Sequence, residues 1–216
     1  MHEDLFSQTE PAQSRLAICP GAIILRGFAL PLENEIFGAL QLIEAQAPSR
    51  HMVTRGGLRM SVAMTNCGAY GWISDRTGYR YDSCDPLSGR PWPPMPELFA
   101  SLARDAAAEA EFLNFVPDAC LINRYSARTK LSPHQDRDER DFSAPIVSVS
   151  LGLPAIFLFG GARRQDSYAR ITLRHGDIVV WGGPARHHYH GVAPLADGDH
   201  PLTGHTRINL TLRKAR

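Results

Sequence analysis

Three short stretches carry residues that could do chemistry. The first is His134-Gln135-Asp136, within KLSPHQDRDE. A histidine and an aspartate two apart on extended chain project to one side, so both can reach a single ion. A third ligand must come from elsewhere, and His187-His188-Tyr189-His190 offers three histidines. Two imidazoles and a carboxylate on one face of an octahedron leave coordination positions open, as non-haem iron(II) oxygenation requires. Strand periodicity places His188 and His190 on one face and His187 on the other, and does not choose between His188 and His190. The remaining histidines, His2, His51, His175, His200 and His205, read as solvated or structural.

The second stretch is Arg207-Ile208-Asn209-Leu210-Thr211-Leu212-Arg213. On a strand, Arg207, Asn209, Thr211 and Arg213 share one face and the three apolar residues the other. A face with two guanidinium groups and an amide is a good anion site, because guanidinium binds carboxylate through two parallel hydrogen bonds. Taken alone, the same pattern also describes a sheet with one wet face. The third stretch is Asn123-Arg124-Tyr125, where Asn123 and Tyr125 point the same way. A polar sheet edge would look alike, and it is the order of the three stretches along the chain that gives them weight.

These residues need strands to hold them, and the second half of the chain supplies candidates. After Pro117 come ACLINRY (119–125), PIVSVSLG (145–152), AIFLFGG (155–161), ARITLR (169–174), DIVVWGG (177–183), HHYHGV (187–192) and TRINLTLR (206–213). Short strands between turn signals, without helices between them, predict an antiparallel sandwich or barrel of jelly-roll type. Before them, GAIILRGF (21–28) reads as a strand. Leu32, Ile36, Leu40 and Ile43 then recur at helical spacing from Pro31 to before Pro48. A second helix is expected over 97–112. Between the helices, residues 50–90 are rich in glycine, aromatic and basic residues with weak periodicity, which predicts short strands and loops over a functional surface.

The 216 residues suit one domain, and 23 basic against 22 acidic residues leave a net charge of +1. That balance excludes a protein that coats duplex DNA by bulk charge, so any nucleic-acid contact must be local, modest and salt-sensitive. Cys19, Cys67, Cys84 and Cys120 form no C-x-x-C pair, which argues against both a zinc site and a disulfide framework. The opening MHEDLFSQTE has no secretory pattern, and no apolar run approaches a membrane span. A cytoplasmic monomer is the expectation.

Together the stretches resemble the AlkB family, its bacterial members especially. The match covers NRY (123–125), HQDRDE (134–139), SVSLGLPA (148–155), FGG (159–161), HGDIVVWGG (175–183), YHG (189–191) and RINLTLR (207–213). It extends upstream to MSVAMTNCG (60–68) and GW (71–72). The resemblance implies a mainly β protein with flanking helices, in which a double-stranded β-helix core carries an N-terminal nucleotide-recognition lid. Residues 1–49 would support the core, 50–95 form the lid and 96–216 the dioxygenase core.

The resemblance selects His190 to join His134 and Asp136 around one Fe(II), with 2-oxoglutarate and O2 as cosubstrates. It implies Asn123, Tyr125 and Arg207 as 2-oxoglutarate contacts with Asn209 and Arg213 beside them; Arg124 and Thr211, in the same two segments, complete the candidate set. Trp72, Tyr79, Asp138 and Arg164 match positions around an alkylated base, and Arg80 and Tyr81 adjoin Tyr79. Arg50, Arg55, Arg59, Arg76 and Arg80 interleave with these aromatics, a combination suited to phosphates and stacked bases. Leu58 departs from the aromatic residue usual in bacterial relatives. The implied reaction is oxidative demethylation of 1-methyladenine and 3-methylcytosine in single-stranded or flipped-base DNA or in RNA, releasing formaldehyde, succinate and CO2. Two rival readings are an oxygenase for modified RNA or protein, and a cupin-like barrel that binds metal and a small acid without catalysis.

Overall fold

The computed structural model describes residues 14–216. The leading stretch and His2 lie outside the described residues. Two short strands, β1 (Ser14–Cys19) and β2 (Ala22–Arg26), form a hairpin, followed by helix α1 (Glu33–Gln46). Next come β3 (Arg50–Val53), β4 (Arg59–Gly68) and the hairpin strands β5 (Gly71–Asp75) and β6 (Gly78–Asp82). Helix α2 (Glu97–Glu109) leads into the strand-rich half: β7 (Ala119–Tyr125), β8 (Leu131–His134), β9 (Ile146–Gly152), β10 (Ala155–Phe159), β11 (Ala169–Leu173), β12 (Ile178–Trp181), β13 (His190–Val192) and β14 (Arg207–Arg213).

The strands make an eight-stranded sheet in the order β1-β2-β12-β9-β14-β7-β4-β3 and a four-stranded sheet in the order β11-β10-β13-β8, with β5–β6 as a separate pair. Two layers result from where the apolar residues fall. On the outer face of the large sheet, Ile208, Leu210 and Leu212 of β14 pack with Ile122, Val147 and Val149 against Ile36, Leu40 and Ile43 of α1 and Phe99, Leu102 and Ala106 of α2. On the inner face, Ile24, Ile146, Val179 and Trp181 meet Phe157 and Phe159 of the small sheet. The expected jelly-roll sandwich with flanking helices is the architecture observed. Among the described residues no helix is long and apolar enough to cross a membrane.

Differences from expectation are local and have physical causes. The irregular region expected over 50–90 contains the ten-residue strand β4, which pairs with β7 from Ala63↔Arg124 to Gly68↔Ala119. Its run VAMTNCG is buried almost residue after residue, so a two-residue alternation is not visible in it. The strand expected over 187–192 begins only at His190, because the 3-10 turn Gly183–Ala185, opened by Pro184, carries the chain round until His188 N–H bonds the Ala185 carbonyl. His188 is therefore not on a strand face beside His190. β1 had no expectation; its Leu16 is half-exposed at the sheet edge.

β14 lies between β7 and β9 and pairs with both along its length, so its two faces are fixed by neighbours on each side. Leu210 sits at the centre of the helix-facing side with 0 % exposure. We expect Leu210→Ala to cost about 3–4 kcal/mol in urea unfolding. Metal and cosubstrate affinities, which the sequence leads us to expect from residues on the opposite face, should stay within about twofold. A loss under about 1 kcal/mol would show that this face does not carry the core.

Candidate metal and cosubstrate site

β8 ends at His134, and its partner β13 begins at His190 in register with it. The two rings lie 4.5 Å apart between centroids. Asp136, just past the end of β8, brings Oδ1 to 3.5 Å from His134 Nε2 and Oδ2 to 3.7 Å from His190 Nε2. The donor atoms of all three residues lie within 4.8 Å of one another. His134 Nδ1 sits 3.0 Å from the Ser132 carbonyl and His190 Nδ1 3.1 Å from that of His188. A carbonyl only accepts, so each Nδ1 carries its hydrogen and each Nε2 keeps its lone pair for an ion.

Electrostatics suit the same task. Burial, followed by the neighbouring His134, lowers the pKa of His190 to about 4, which keeps its imidazole neutral. Burial alone would raise the Asp136 carboxyl, but the Arg213 guanidinium outweighs it and holds the group well below the usual carboxylate range. Arg213 donates to Asp136 Oδ2 through Nη2 at 2.8 Å and Nε at 3.1 Å. Asp136 acts the other way on His134: burial would lower that pKa, but the hydrogen bond and charge of Asp136 raise it. An ion therefore binds there in competition with a proton, after which two neutral imidazoles and one carboxylate fit a divalent first-row ion with open positions.

A cavity of about 390 Å³ opens beside these three residues. The inner face of β14 lines it with Arg207, Asn209, Thr211 and Arg213, joined by Asn123 and Tyr125 from β7 and Ser148 from β9. Asn209 donates to Ser148 Oγ at 2.8 Å and accepts from Asn123 Nδ2 at 3.2 Å and Thr211 Oγ1 at 3.0 Å. Arg207 is different. It is 1 % exposed, lies over the Tyr125 ring with Cζ 5.0 Å from the centroid, and donates to Ser150 Oγ at 3.1 Å. Its Nε and Nη1 are buried with no hydrogen-bond partner, as is Asn123 Oδ1. Burial pulls the Arg207 pKa down, yet guanidinium stays cationic in proteins. A buried cation with two idle donors is costly unless an anion completes it. A dicarboxylate reaching from the ion to Arg207 fits that need.

At the mouth, Trp72 and Tyr79 stack at 5.6 Å with an 18° tilt. Trp72 Nε1 donates to Asp138 Oδ2 at 2.8 Å, so all three side chains line one side of the cavity. Buried Asn66 fixes the Trp72 backbone with hydrogen bonds of 2.9 and 3.0 Å.

Four residues that the sequence pointed to are not brought here, and each has a reason. Arg124 alternates to the far side of β7 and bonds Glu44 of α1, with Nη2 to Oε2 at 2.6 Å. Arg80 turns away from Tyr79 on β6 and pairs with Asp75 at 2.9 Å and Asp82 at 3.7 Å. Tyr81 is buried and donates to Glu139 Oε1 at 2.7 Å. Arg164 is exposed on the loop after β10, where its carbonyl accepts from Tyr168 Oη at 3.0 Å. Of the other arginines between the aromatics, Arg50 is taken up by Asp85, while Arg55, Arg59 and Arg76 are exposed, as is Leu58. Sequence reasoning missed Ser148 and Ser150, although their two-residue spacing in SVSLG was a signal, and it missed Asn66, Trp181 and Phe157, which look like ordinary strand residues.

The model of the 2OG-Fe(II) oxygenase superfamily matches residues 21–213. The chain is similar to the alpha-ketoglutarate-dependent dioxygenase AlkB of Salmonella typhimurium strain LT2, 56 % identical over 212 residues that cover 98 % of this chain and 97 % of that one. AlkB of Escherichia coli strain K12 is 54 % identical with the same coverage. The solved structure of OsALKBH1 superposes with a TM-score of 0.81 at 30 % identity, over 93 % of this chain and 100 % of that one.

Replacing His187, His188 and His190 singly by alanine should separate a ligand from its neighbours. Neither His187 nor His188 lines the cavity; His187 packs edge-on to Phe142 and His188 against Phe159. In a titration with Co(II), His190→Ala is expected to bind at least about 100-fold more weakly while the other two keep near wild-type affinity. Full cobalt binding by His190→Ala would remove it from the metal site.

Proposed function

Because the chain belongs to the AlkB family of the 2OG-Fe(II) oxygenase superfamily, we propose that it removes N-linked methyl groups from nucleic-acid bases, with DNA as the main substrate. The observation that carries the reading is buried Arg207, its Nε and Nη1 without partners, lining the same cavity as the His134–Asp136–His190 cluster. When bound, iron(II) with 2-oxoglutarate and O2 supplies the oxidation of the N-methyl carbon, with succinate, CO2 and formaldehyde as products.

The chain's own residues bind and orient. His134, Asp136 and His190 hold the ion. Arg207 takes the distal carboxylate of 2-oxoglutarate, with Tyr125 beneath the guanidinium and Asn123 beside it. Arg213 keeps Asp136 ionised and in place. Residues 50–95 act as the recognition lid over the core of 96–216, and the stacked Trp72 and Tyr79 receive the base. A base stacked inside a duplex does not reach the His134–Asp136–His190 cluster, so it enters single-stranded or flipped. The near-neutral net charge and the few exposed arginines of 50–76 favour weak, sequence-independent contact with phosphates. The protein acts as a monomer in the cytoplasm.

Asp138 gives the site a preference. Trp72 holds one of its oxygens and so orients the carboxylate along the cavity wall. A carboxylate there favours bases made cationic by methylation, 1-methyladenine and 3-methylcytosine, over neutral 1-methylguanine. Formaldehyde release from oligonucleotides carrying each lesion tests this in wild type and Asp138→Asn. The variant should lose about tenfold more activity on the cationic bases than on the neutral one, roughly 1.4 kcal/mol, within the range for one charge pair near a protein surface. Equal losses would leave Asp138 without that role. Binding of cobalt and 2-oxoglutarate without formaldehyde from any methylated oligonucleotide would favour the non-catalytic reading instead.

A further inference from the structure

Arg186 lies outside the cavity lining, is 2 % exposed, and has all three nitrogens of its guanidinium committed. Nε donates to the Ala144 carbonyl at 3.2 Å, Nη1 to the Asp136 carbonyl at 3.1 Å and Nη2 to Glu139 Oε2 at 3.1 Å. Its Cζ stands 5.3 Å from the centroid of the Phe142 ring. All four partners belong to one loop, 136–144, which has no regular secondary structure and carries both Asp136 and Asp138. Arg186 itself comes from the turn that enters β13, four residues before His190. One side chain thus ties the segment of one histidine to the loop of the carboxylate.

Glu139 is the shared counter-charge. It is buried, accepts from Tyr81 Oη of β6 at 2.7 Å, and has Oε1 3.4 Å from Arg213 Nε. Arg213 in turn grips the Asp136 carboxylate at 2.8 Å. The backbone of Asp136 is therefore held by Arg186 and its side chain by Arg213, with both cations resting on Glu139. A loop of this kind, without ladder hydrogen bonds, takes its geometry from such contacts.

We propose that Arg186 is a positioning residue for the metal carboxylate: it sets the backbone from which Asp136 projects, and without it the three donors do not converge at full affinity. The inference rests on His134, Asp136 and His190 being the metal site. Lysine cannot replace it, because three acceptors in different directions match the planar fork of guanidinium and not a single ammonium.

The test compares Co(II) binding, read from the visible spectrum of the bound ion, with thermal unfolding of the metal-free protein. Arg186→Lys keeps the charge beside Glu139 and should remain folded, yet bind Co(II) about tenfold or more weakly and with an altered spectrum. Phe142→Ala removes only the half-exposed ring against the guanidinium and should weaken binding in the same direction by a smaller factor. Leu210→Ala lowers stability from the far side of β14 and should leave the cobalt constant unchanged. If Arg186→Lys does not fold, Phe142→Ala carries the test. Wild-type cobalt affinity and spectrum in Arg186→Lys, an unchanged constant in Phe142→Ala where the lysine variant does not fold, or an equal loss in Leu210→Ala, would overturn the proposal. Wild type that takes up no cobalt would instead overturn the metal site itself.

Discussion

The Arg207 guanidinium, buried with Nε and Nη1 unpartnered, is the constraint on which the rest of the site turns. Removing a cation from water costs several kcal/mol unless its donors are met. The fold holds it there because β14 is locked on both edges, and because its outer-face leucines and isoleucine anchor the helices. Alternation then forces Arg207, Asn209, Thr211 and Arg213 onto the inner wall together. Arg213, six residues further on, is engaged by Asp136 and Glu139. One strand thus carries two arginines of opposite status, one bound to the Asp136 carboxylate and one with two buried donors unmet. Strand geometry fixes their separation, and so the distance of Arg207 from the Asp136 carboxylate that Arg213 holds.

Around this wall the protein uses its charge sparingly. Several arginines that could have made a basic surface are engaged within the molecule: Arg50 with Asp85, Arg80 with Asp75, Arg124 with Glu44 and Arg186 with Glu139. At the mouth stand instead a stacked aromatic pair and one carboxylate. The Trp72 indole contributes twice, with its face to Tyr79 and its N–H to Asp138, and Asn66 fixes its backbone. The β5–β6 hairpin is linked to Asp136 through Tyr81, Glu139 and Arg213, so the hairpin and the His134–Asp136–His190 cluster share one buried network.

What the sequence disclosed follows physical period. The two faces of RINLTLR, the common side of Asn123 and Tyr125, and the reach of His134 and Asp136 to one point are all consequences of strand geometry, and the structure has them. Arg124 and Arg80 were placed in the site by adjacency to better candidates, which the same alternation speaks against. The choice of His190 over His188 was not legible from periodicity, because the turn at Pro184 ends the extended segment that periodicity requires. β4 was hidden because a strand buried on both faces loses its alternation. Arg186 and Glu139 were hidden for another reason: a contact between a turn and a loop 47 residues apart leaves no local pattern.

The proposed function requires a second carboxylate, at a set distance from the metal, to complete Arg207. This is tested most directly by comparing 2-oxoglutarate with 2-oxobutyrate as ligands of the cobalt-loaded wild-type protein. Both present the same keto-acid end, and only the first has a distal carboxylate. A charge-assisted contact in a buried site predicts that 2-oxoglutarate binds about 30-fold or more tightly, the equivalent of roughly 2 kcal/mol. Equal affinities would mean that no anion sits on Arg207, and the site would not be the one described.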